Sequence, residues 1–414
     1  MWLHNSKIKW FILTIIIITT LIYIKALYIG FWYMDDHWMI YGNSTVIDLN
    51  PKSLYDLFFS MYFYQHSPVN TLYYRIIYLI AGMDPFAFHL ASLIVHLINI
   101  YLVYLFVKSI LPKTVANDRT NRTEHIALIV SLLFAMHPTN VESIVWLSAS
   151  KVILYSTFFL IGMLIYISYI KNQKISLLLL VCLFFLLSIL SKEQAVIFPI
   201  NMILLDMLYK RRPIFKLFLE KAPFFFISVL YGLLTLHNSG MPASSQHTFF
   251  KQFSIASFNL VSYVINLVSP LWLRNLYPIP KYIDIQLPIG YYICAISVVL
   301  ILLCAISHYI LQKWKIDIIS FGLAFFLINI ILATHLIPMN RPMIMADRYL
   351  YLPSIGLFLI IVSLLYNKIS EISKVTIKRF SISIFIIYCL LCACITFKNI
   401  NNYKKNEKDI TESE

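Results

Sequence analysis

The amino-acid sequence predicts an all-α polytopic membrane protein, and three observations carry that expectation. Of the 414 residues, 60% are hydrophobic and only 13% are charged, too little polar surface to cover a soluble chain. The apolar residues fall in continuous runs of about 20, the length that crosses about 30 Å of hydrocarbon as a helix. Continuous rather than alternating runs argue against a membrane barrel. Lys and Arg cluster in short stretches between the runs, as expected of loops on the cytoplasmic side. That pattern accounts for the formal net charge of +14. No Arg-rich arm or aromatic base-stacking platform is read, and no nucleic-acid partner is expected.

The first run, residues 10–30, follows Lys7 and Lys9. It is long, and Phe31-Trp-Tyr is a poor cleavage site, so it reads as an uncleaved helix with a cytoplasmic N-terminus. Residues 31–85 then form an outer loop. Its pieces 53–64 and 70–81 have mixed apolar and polar faces, which suits helices lying on the membrane surface. Helix two (86–108) returns to Lys108, Lys113, Arg119 and Arg122. Helix three (125–137) runs outward to His137-Pro138, and helix four (152–170) comes back to Lys171 and Lys174. Helix five (175–190) goes out to Ser191-Lys192-Glu193-Gln194, and helix six (195–209) returns to Lys210-Arg211-Arg212. Helix seven (222–237) leads out again.

Residues 254–273 are long enough to span. A span there would put Lys313, Lys315, Lys368, Lys374, Lys378 and Arg379 outside, so the segment reads as re-entrant or interfacial. Helices at 289–311, 317–335, 349–366 and 380–397 complete about eleven spans. They form one domain, 1–397, with a short polar tail, 398–414. The six cysteines lie in apolar runs and read as small packing residues. Asn43-Ser-Thr is an N-glycosylation sequon in the outer loop.

Under this topology the ionisable residues Asp35, Asp36, His37, His66, Arg75, His137, Glu142, Lys151, Lys192, Glu193, Arg274, Arg341, Asp347 and Arg348 gather on the outer face. Such groups are costly at membrane helix ends, so a cluster is a functional signal; singly, each also fits a water-interface anchor. Asp35-Asp36 is the sharpest feature, because acidic residues contribute little to orientation. Neighbouring side chains point in different directions, which favours a division of labour over a shared proton. One carboxylate accepts a proton from substrate and the other binds a hydroxyl or a cation; a polar interfacial cap is the plainer reading. His137 and Glu142, five apart around a Pro-stopped helix end, suit a substrate or metal site, although no third ligand has diagnostic spacing.

Several short stretches, taken in order, resemble one family. They are Asp35-Asp36 with Asn50-Pro51, Pro68-Val-Asn-Thr-Leu-Tyr-Tyr-Arg75, Gly82-Met-Asp-Pro85 with His89 and His96, Leu133-Phe-Ala-Met-His137-Pro138 through Glu142, Ser191-Lys-Glu-Gln194 with Asp206, and Ala346-Asp-Arg-Tyr-Leu-Tyr-Leu-Pro-Ser-Ile-Gly356. Together they resemble the membrane half of the transmembrane-and-tetratricopeptide-repeat O-mannosyltransferases and their bacterial relatives, lipid-dependent glycosyltransferases of the GT-C superfamily. His66-Ser67-Pro68 stands where that family often has Tyr-Arg-Pro, and Ser150-Lys151 where it has Gly-Arg. No tetratricopeptide repeat is read.

The resemblance implies a GT-C-like fold and a polyprenyl- or dolichyl-phosphate sugar donor, its tail in the bilayer lipid and its sugar on the extracytoplasmic face. An acidic residue of the first outer loop, Asp35 or Asp36, would act as base on an acceptor hydroxyl of protein Ser/Thr, glycan or lipid, with inversion. Residues implied at the substrates are Arg75, His137, Glu142, Lys151, Lys192, Glu193, Arg274, Asp347 and Arg348. Lys151, Lys192, Arg274 and Arg348 would face the leaving phosphate, and the planar fork of Arg348 suits it best. A divalent metal is the one cofactor left open, with Asp36, His137 and Glu142 as its candidate ligands. The membrane would be the plasma membrane of a bacterium or the endoplasmic reticulum of a eukaryote. The alternative, a secondary transporter or a lipid or polysaccharide flippase, expects Gly- or Pro-broken helices in repeated halves. The chain has nine glycines, no evident repeat, and its charges at helix ends.

Overall fold

The computed structural model describes residues 6–61, 65–111, 117–211, 214–239, 248–274, 276–280, 283, 286–312, 316–337 and 343–411. The predicted outer-face residue Arg341 lies outside them. Each run expected to span is helical. The helices are α1 (Ser6–Tyr23), α6 (Pro85–Ile110), α7 (Asn117–Met136), α9 (Ser150–Asn172), α10 (Ile175–Ser191) and α11 (Phe198–Leu208), then α12 (Ile214–Ser239), α14 (Ile289–Leu311), α15 (Ile318–Ile330), α16 (Ser354–Glu371) and α17 (Val375–Thr411). Between them stand α2 (Tyr33–Asp36), α3 (Ser44–Ile47), α4 (Pro51–Phe59), α5 (Pro68–Ala81), α8 (Val141–Val145) and α13 (Phe249–Val268).

Seven helices are by themselves long and apolar enough to cross a membrane. An eighth candidate is the pair Arg122–Met136 and Pro138–Val145, bent by 53°. Pro138 has no N–H to continue the helix, so the chain turns at His137. Ile175–Ser191 and Ile318–Ala333 are apolar but shorter, and α11 has 11 residues. The expected eleven segments are thus present, while fewer meet the length of a full span. The expected start of helix 349–366 moves to Ser354, because residues Asp347–Leu350 form a 3-10 turn ahead of Pro353. The segment expected to be re-entrant is α13; it stacks Phe258 on Tyr291 of α14 at 4.1 Å and ends at Ser269-Pro270.

The buried core runs through α6, α7, α9, α10, α15 and α16. Glycine sets the closest approach: a Cβ on Gly356 of α16 would stand 2.4 Å from the carbonyl oxygen of Gly322 on α15. Only small residues allow such helix contacts in a membrane, where packing rather than apolar burial drives association.

The two ends of the bundle differ. At 1.5 Å per residue, the 23 residues of α9 separate them by about 34 Å. At the far end, Arg211 binds Asp206 at 3.0 Å and Glu220 at 3.1 Å, and Lys221 binds Asp206 at 2.5 Å and Glu220 at 3.0 Å. The hydroxyls of Tyr166 and Tyr169 donate to Asp206 and Glu220 at 2.8 Å each. Two cations answer two carboxylates there, and Lys221 is fully buried.

At the other end, the loop after α1 folds over the bundle. Asn50 caps α4 by accepting from the Ser53 N–H at 2.7 Å, with Pro51 in the first turn. Asn43 caps α3, its Oδ1 accepting from the Thr45 N–H at 3.0 Å and the Thr45 hydroxyl at 2.7 Å, and is only 3% exposed. Apolar side chains of α4 and α5, among them Tyr55, Phe59 and Ile80, stay exposed, as on helices lying along a membrane surface.

Candidate active site

Under that folded loop lies a cavity of about 730 Å³. Its walls come from α2, the end of α4, the start of α9, the turn after α10, the last turns of α12 and the short ribbon β1 (Tyr277–Pro278) with β2 (Met343–Met345). Asp35, Lys151, Lys192, Glu193 and Arg348, spread over more than 300 residues of sequence, all stand on these walls. Among the described residues, three cations and two carboxylates are therefore the Lys, Arg, Asp and Glu residues of the lining. Trp32, Trp38, Trp146, Tyr231, Tyr277 and Tyr349 supply aromatic surface between them.

The paired aspartates take different places. Asp35 faces the cavity, and its Oδ1 accepts from the Trp38 indole N–H at 3.0 Å. Asp36 is turned inward and is 1% exposed. Its Oδ2 accepts from the Trp32 N–H at 2.7 Å, and its Oδ1 from the Ser148 N–H at 2.9 Å and the Ser148 hydroxyl. Burial pushes the Asp36 carboxyl up to about 6 despite those bonds. Asp36 thus ties the first loop to the Leu147–Ala149 turn and sets Asp35 beside the cavity.

The cations are held by aromatic faces and by the carboxylates of Glu142 and Glu193. The Arg348 guanidinium lies 4.8 Å from the Trp146 ring centre and 5.1 Å from that of Tyr349. Glu142, behind the wall, pairs with Arg348 and accepts from its backbone N–H at 2.8 Å. Lys192 Nζ sits 5.6 Å from the Tyr349 ring centre and 3.8 Å from Glu193. Lys151 donates to the Gln65 side-chain carbonyl at 2.6 Å and has no ion pair among the described residues. Trp32 packs edge-on against Trp146 at 5.3 Å and Tyr403 of α17 at 5.4 Å, so the last helix braces this wall. Asp347 is buried behind Tyr277, whose hydroxyl donates to it at 3.1 Å, and Asn266 donates to it at 3.0 Å. Burial, with Glu142 nearby, holds the Asp347 carboxyl well above the usual carboxylate range.

Three expected site residues stand apart. Arg75 is buried in a structural bond set, donating to the Thr45 carbonyl at 3.0 Å and the Ser53 hydroxyl at 2.9 Å, and so joins α5 to α3 and α4. His137 is fully buried, its ring nitrogens engaged by the Thr139 hydroxyl at 2.8 Å and the Leu267 carbonyl at 3.0 Å. Arg274 is exposed, with its backbone N–H on the Tyr277 hydroxyl at 2.9 Å. Asp36, His137 and Glu142 do not fit a common metal, since each turns its polar atoms to a different set of protein groups. Among the described residues, no group of three or more His, Cys, Asp or Glu side chains is arranged to hold one.

Residues that sequence reasoning missed are Trp146, Ser148, Gln65, Tyr231 and Tyr277. His66 and Tyr231 close one side of the cavity: the Tyr231 hydroxyl donates to the His66 carbonyl at 2.5 Å, and the His66 ring contacts the Phe58 carbonyl at 2.9 Å.

Fold and site define an integral multi-pass membrane protein of helices, with three cations and two carboxylates gathered at one cavity. No protein-family model matches the chain. Over 129 residues it is 27% identical to the protein O-mannosyl-transferase Tmtc1 of Drosophila melanogaster, a match that covers 31% of this chain and 14% of that protein. Among solved structures, the Archaeoglobus fulgidus oligosaccharyltransferase tethered to an acceptor peptide aligns over 96% of this chain and 55% of its own, at 13% identity and a TM-score of 0.43.

Proposed function

We propose that this chain is an integral membrane glycosyltransferase that moves a sugar from a polyprenyl- or dolichyl-phosphate carrier to an acceptor hydroxyl on the extracytoplasmic face. The observation that carries the reading is the cavity, with Asp35 and the cations Lys151, Lys192 and Arg348 on its walls. A hydroxyl is a poor nucleophile, and a positioned carboxylate contributes roughly 10²–10⁴-fold. With one oxygen fixed by Trp38, Asp35 takes the acceptor proton on the other. The acceptor oxygen attacks the anomeric carbon, the bond to the carrier phosphate breaks, and the electron pair leaves with the phosphate. A single displacement inverts the anomeric configuration.

Charge accumulates on the leaving phosphate, where preorganised cations are worth most. Arg348, clamped between Trp146 and Tyr349, offers a fixed fork, and Lys151 and Lys192 add point charges. The test is purified protein in liposomes, offered polyprenyl-phosphate hexoses and hydroxyl acceptors, with polyprenyl phosphate release followed for wild type and Asp35→Asn. Release that depends on Asp35 supports the reading. Release equal in both would end the assignment of Asp35 as base, and no binding or release of any donor would end the transferase reading.

A further inference from the structure

Behind the cavity lie three polar side chains that the proposed chemistry does not use. His96 and Asn99 stand three residues apart on one face of α6, and Tyr351 follows the turn that carries Arg348. Each is 0% exposed, and none lines the cavity. The Tyr351 hydroxyl is their shared centre. Asn99 Nδ2 donates to it at 3.1 Å, and it lies 2.8 Å from His96 Nδ1. His96 Nε2 stands 3.3 Å from the Ala135 carbonyl. A carbonyl only accepts, so Nε2 carries the proton and Nδ1 of the neutral ring accepts from Tyr351. The Thr157 hydroxyl donates to Asn99 Oδ1 at 2.8 Å, which turns Nδ2 to Tyr351 and, at 2.9 Å, to the Ile153 carbonyl.

The places where these bonds end suggest a use. Ile153 is two residues after Lys151 on α9. The Tyr351 N–H donates to the Arg348 carbonyl at 3.3 Å. Ala135 is in the last turn of α7, ahead of the Pro138 turn that leads to Glu142, the partner of Arg348. One face of α6 thus meets the chain beside Lys151, beside Arg348 and beside the segment that brings Glu142 to Arg348.

We infer that His96, Asn99 and Tyr351 are positioning residues that set the spacing of Arg348 and Lys151, so that both cations meet one phosphate group. The inference rests on the glycosyltransferase reading and deepens it. Polar side chains in an apolar core cost desolvation, and apolar packing alone would hold the helices together. Hydrogen bonds add direction. With each donor and acceptor assigned, α6, α9 and the Arg348 turn have one arrangement. A misplacement of about 1 Å at a reacting centre can cost roughly 10²-fold in rate, so a loosened network is felt at the leaving phosphate.

The experiment uses the full chain in liposomes with polyprenyl-phosphate hexose donors and hydroxyl acceptors. Tyr351→Phe removes only the shared hydroxyl. It is expected to lower kcat/KM for the donor about tenfold and to leave the acceptor KM within twofold of wild type. In an Arg348→Lys background, where the fork is already lost, the same change is expected to cost no more than about threefold. Thr157→Val, which frees the Asn99 amide to turn, is expected to lower donor kcat/KM about threefold, and Thr157→Ser to restore it. These two variants carry the comparison if Tyr351→Phe does not insert. Donor kcat/KM unmoved by both Tyr351→Phe and Thr157→Val overturns the inference. A tenfold loss repeated in full in the Arg348→Lys background, or matched by an equal rise in acceptor KM, overturns it too, because the network then serves the fold alone. Failure of the wild type to release polyprenyl phosphate from any donor, with or without acceptor, ends the transferase reading and this inference with it.

Discussion

Two charged regions meet α9 at Lys151 and at Tyr166 and Tyr169, about 25 Å apart along the helix, and have the same ingredients and opposite arrangements. At the far end, Asp206 and Glu220 face Arg211 and Lys221, each within ion-pair distance, with two tyrosine hydroxyls completing the set. That region is sealed by its own partners. At the cavity, Lys151, Lys192 and Arg348 share the lining with Asp35 and Glu193, and the space in front of them is open. Buried charge is tolerated when it is paired, and charge facing a cavity calls for a ligand. Presence of charge in an apolar chain therefore does not mark the site; charge that fronts an open space does.

The difference can be broken most directly at Asp35. Asp35→Asn is expected to lower transfer about 10²–10⁴-fold while the variant still inserts and keeps its melting temperature in detergent. At the sealed region the expectation is reversed. Lys221→Met leaves Asp206 without its 2.5 Å partner and is expected to cost about 3–5 kcal/mol, read as a large fall in thermal stability. Pairing it with Asp206→Asn should recover much of that loss, which tests whether the cluster is only a structural unit.

A milder change sharpens the contrast. Arg348→Lys keeps the charge but loses the fork and the flat contacts with Trp146 and Tyr349. Donor KM is expected to rise roughly tenfold, about 1.4 kcal/mol, with little change in melting temperature. A stability loss as large as that of Lys221→Met would mean that Arg348 serves the fold as much as the site.

The smallest effect concerns pH. The Asp36 carboxyl titrates near 6 in the folded protein against an ordinary value of 3.8. Between these values the folded chain holds a proton that the unfolded chain releases, so stability from this group falls as pH rises through the window. Asp36→Asn is expected to flatten the melting-temperature profile between about pH 4 and 6. An unchanged slope would show that Asp36 is not the titrating group.

Sequence made the helices legible because apolar runs of span length have few other uses. It also brought out Asp35, Lys151, Lys192, Glu193 and Arg348, since charge near a membrane helix end is costly enough to be noticed. The inward turn of Asp36 was not legible, because it depends on Ser148, 112 residues away and unremarkable in type. Arg75 and His137 looked like site residues for the same reason that Lys151 did. Only their bonds to Thr45, Ser53, Thr139 and Leu267 show that tertiary structure has already used them. Tyr277 and Tyr231 gave no signal, since tyrosine is common throughout this chain.

The cap on α3 has a practical consequence. Asn43 begins a sequon, yet its carboxamide is buried and holds Thr45, the third residue of the same sequon. An N-linked glycan attached during synthesis would have to occupy the space of that cap, so modification and correct folding at Asn43 exclude each other. Production in a eukaryotic secretory host would divide the product into a bare, folded fraction and a glycosylated, misfolded one. A glycan missing from Asn43 would then say nothing about the side of the membrane on which the loop lies.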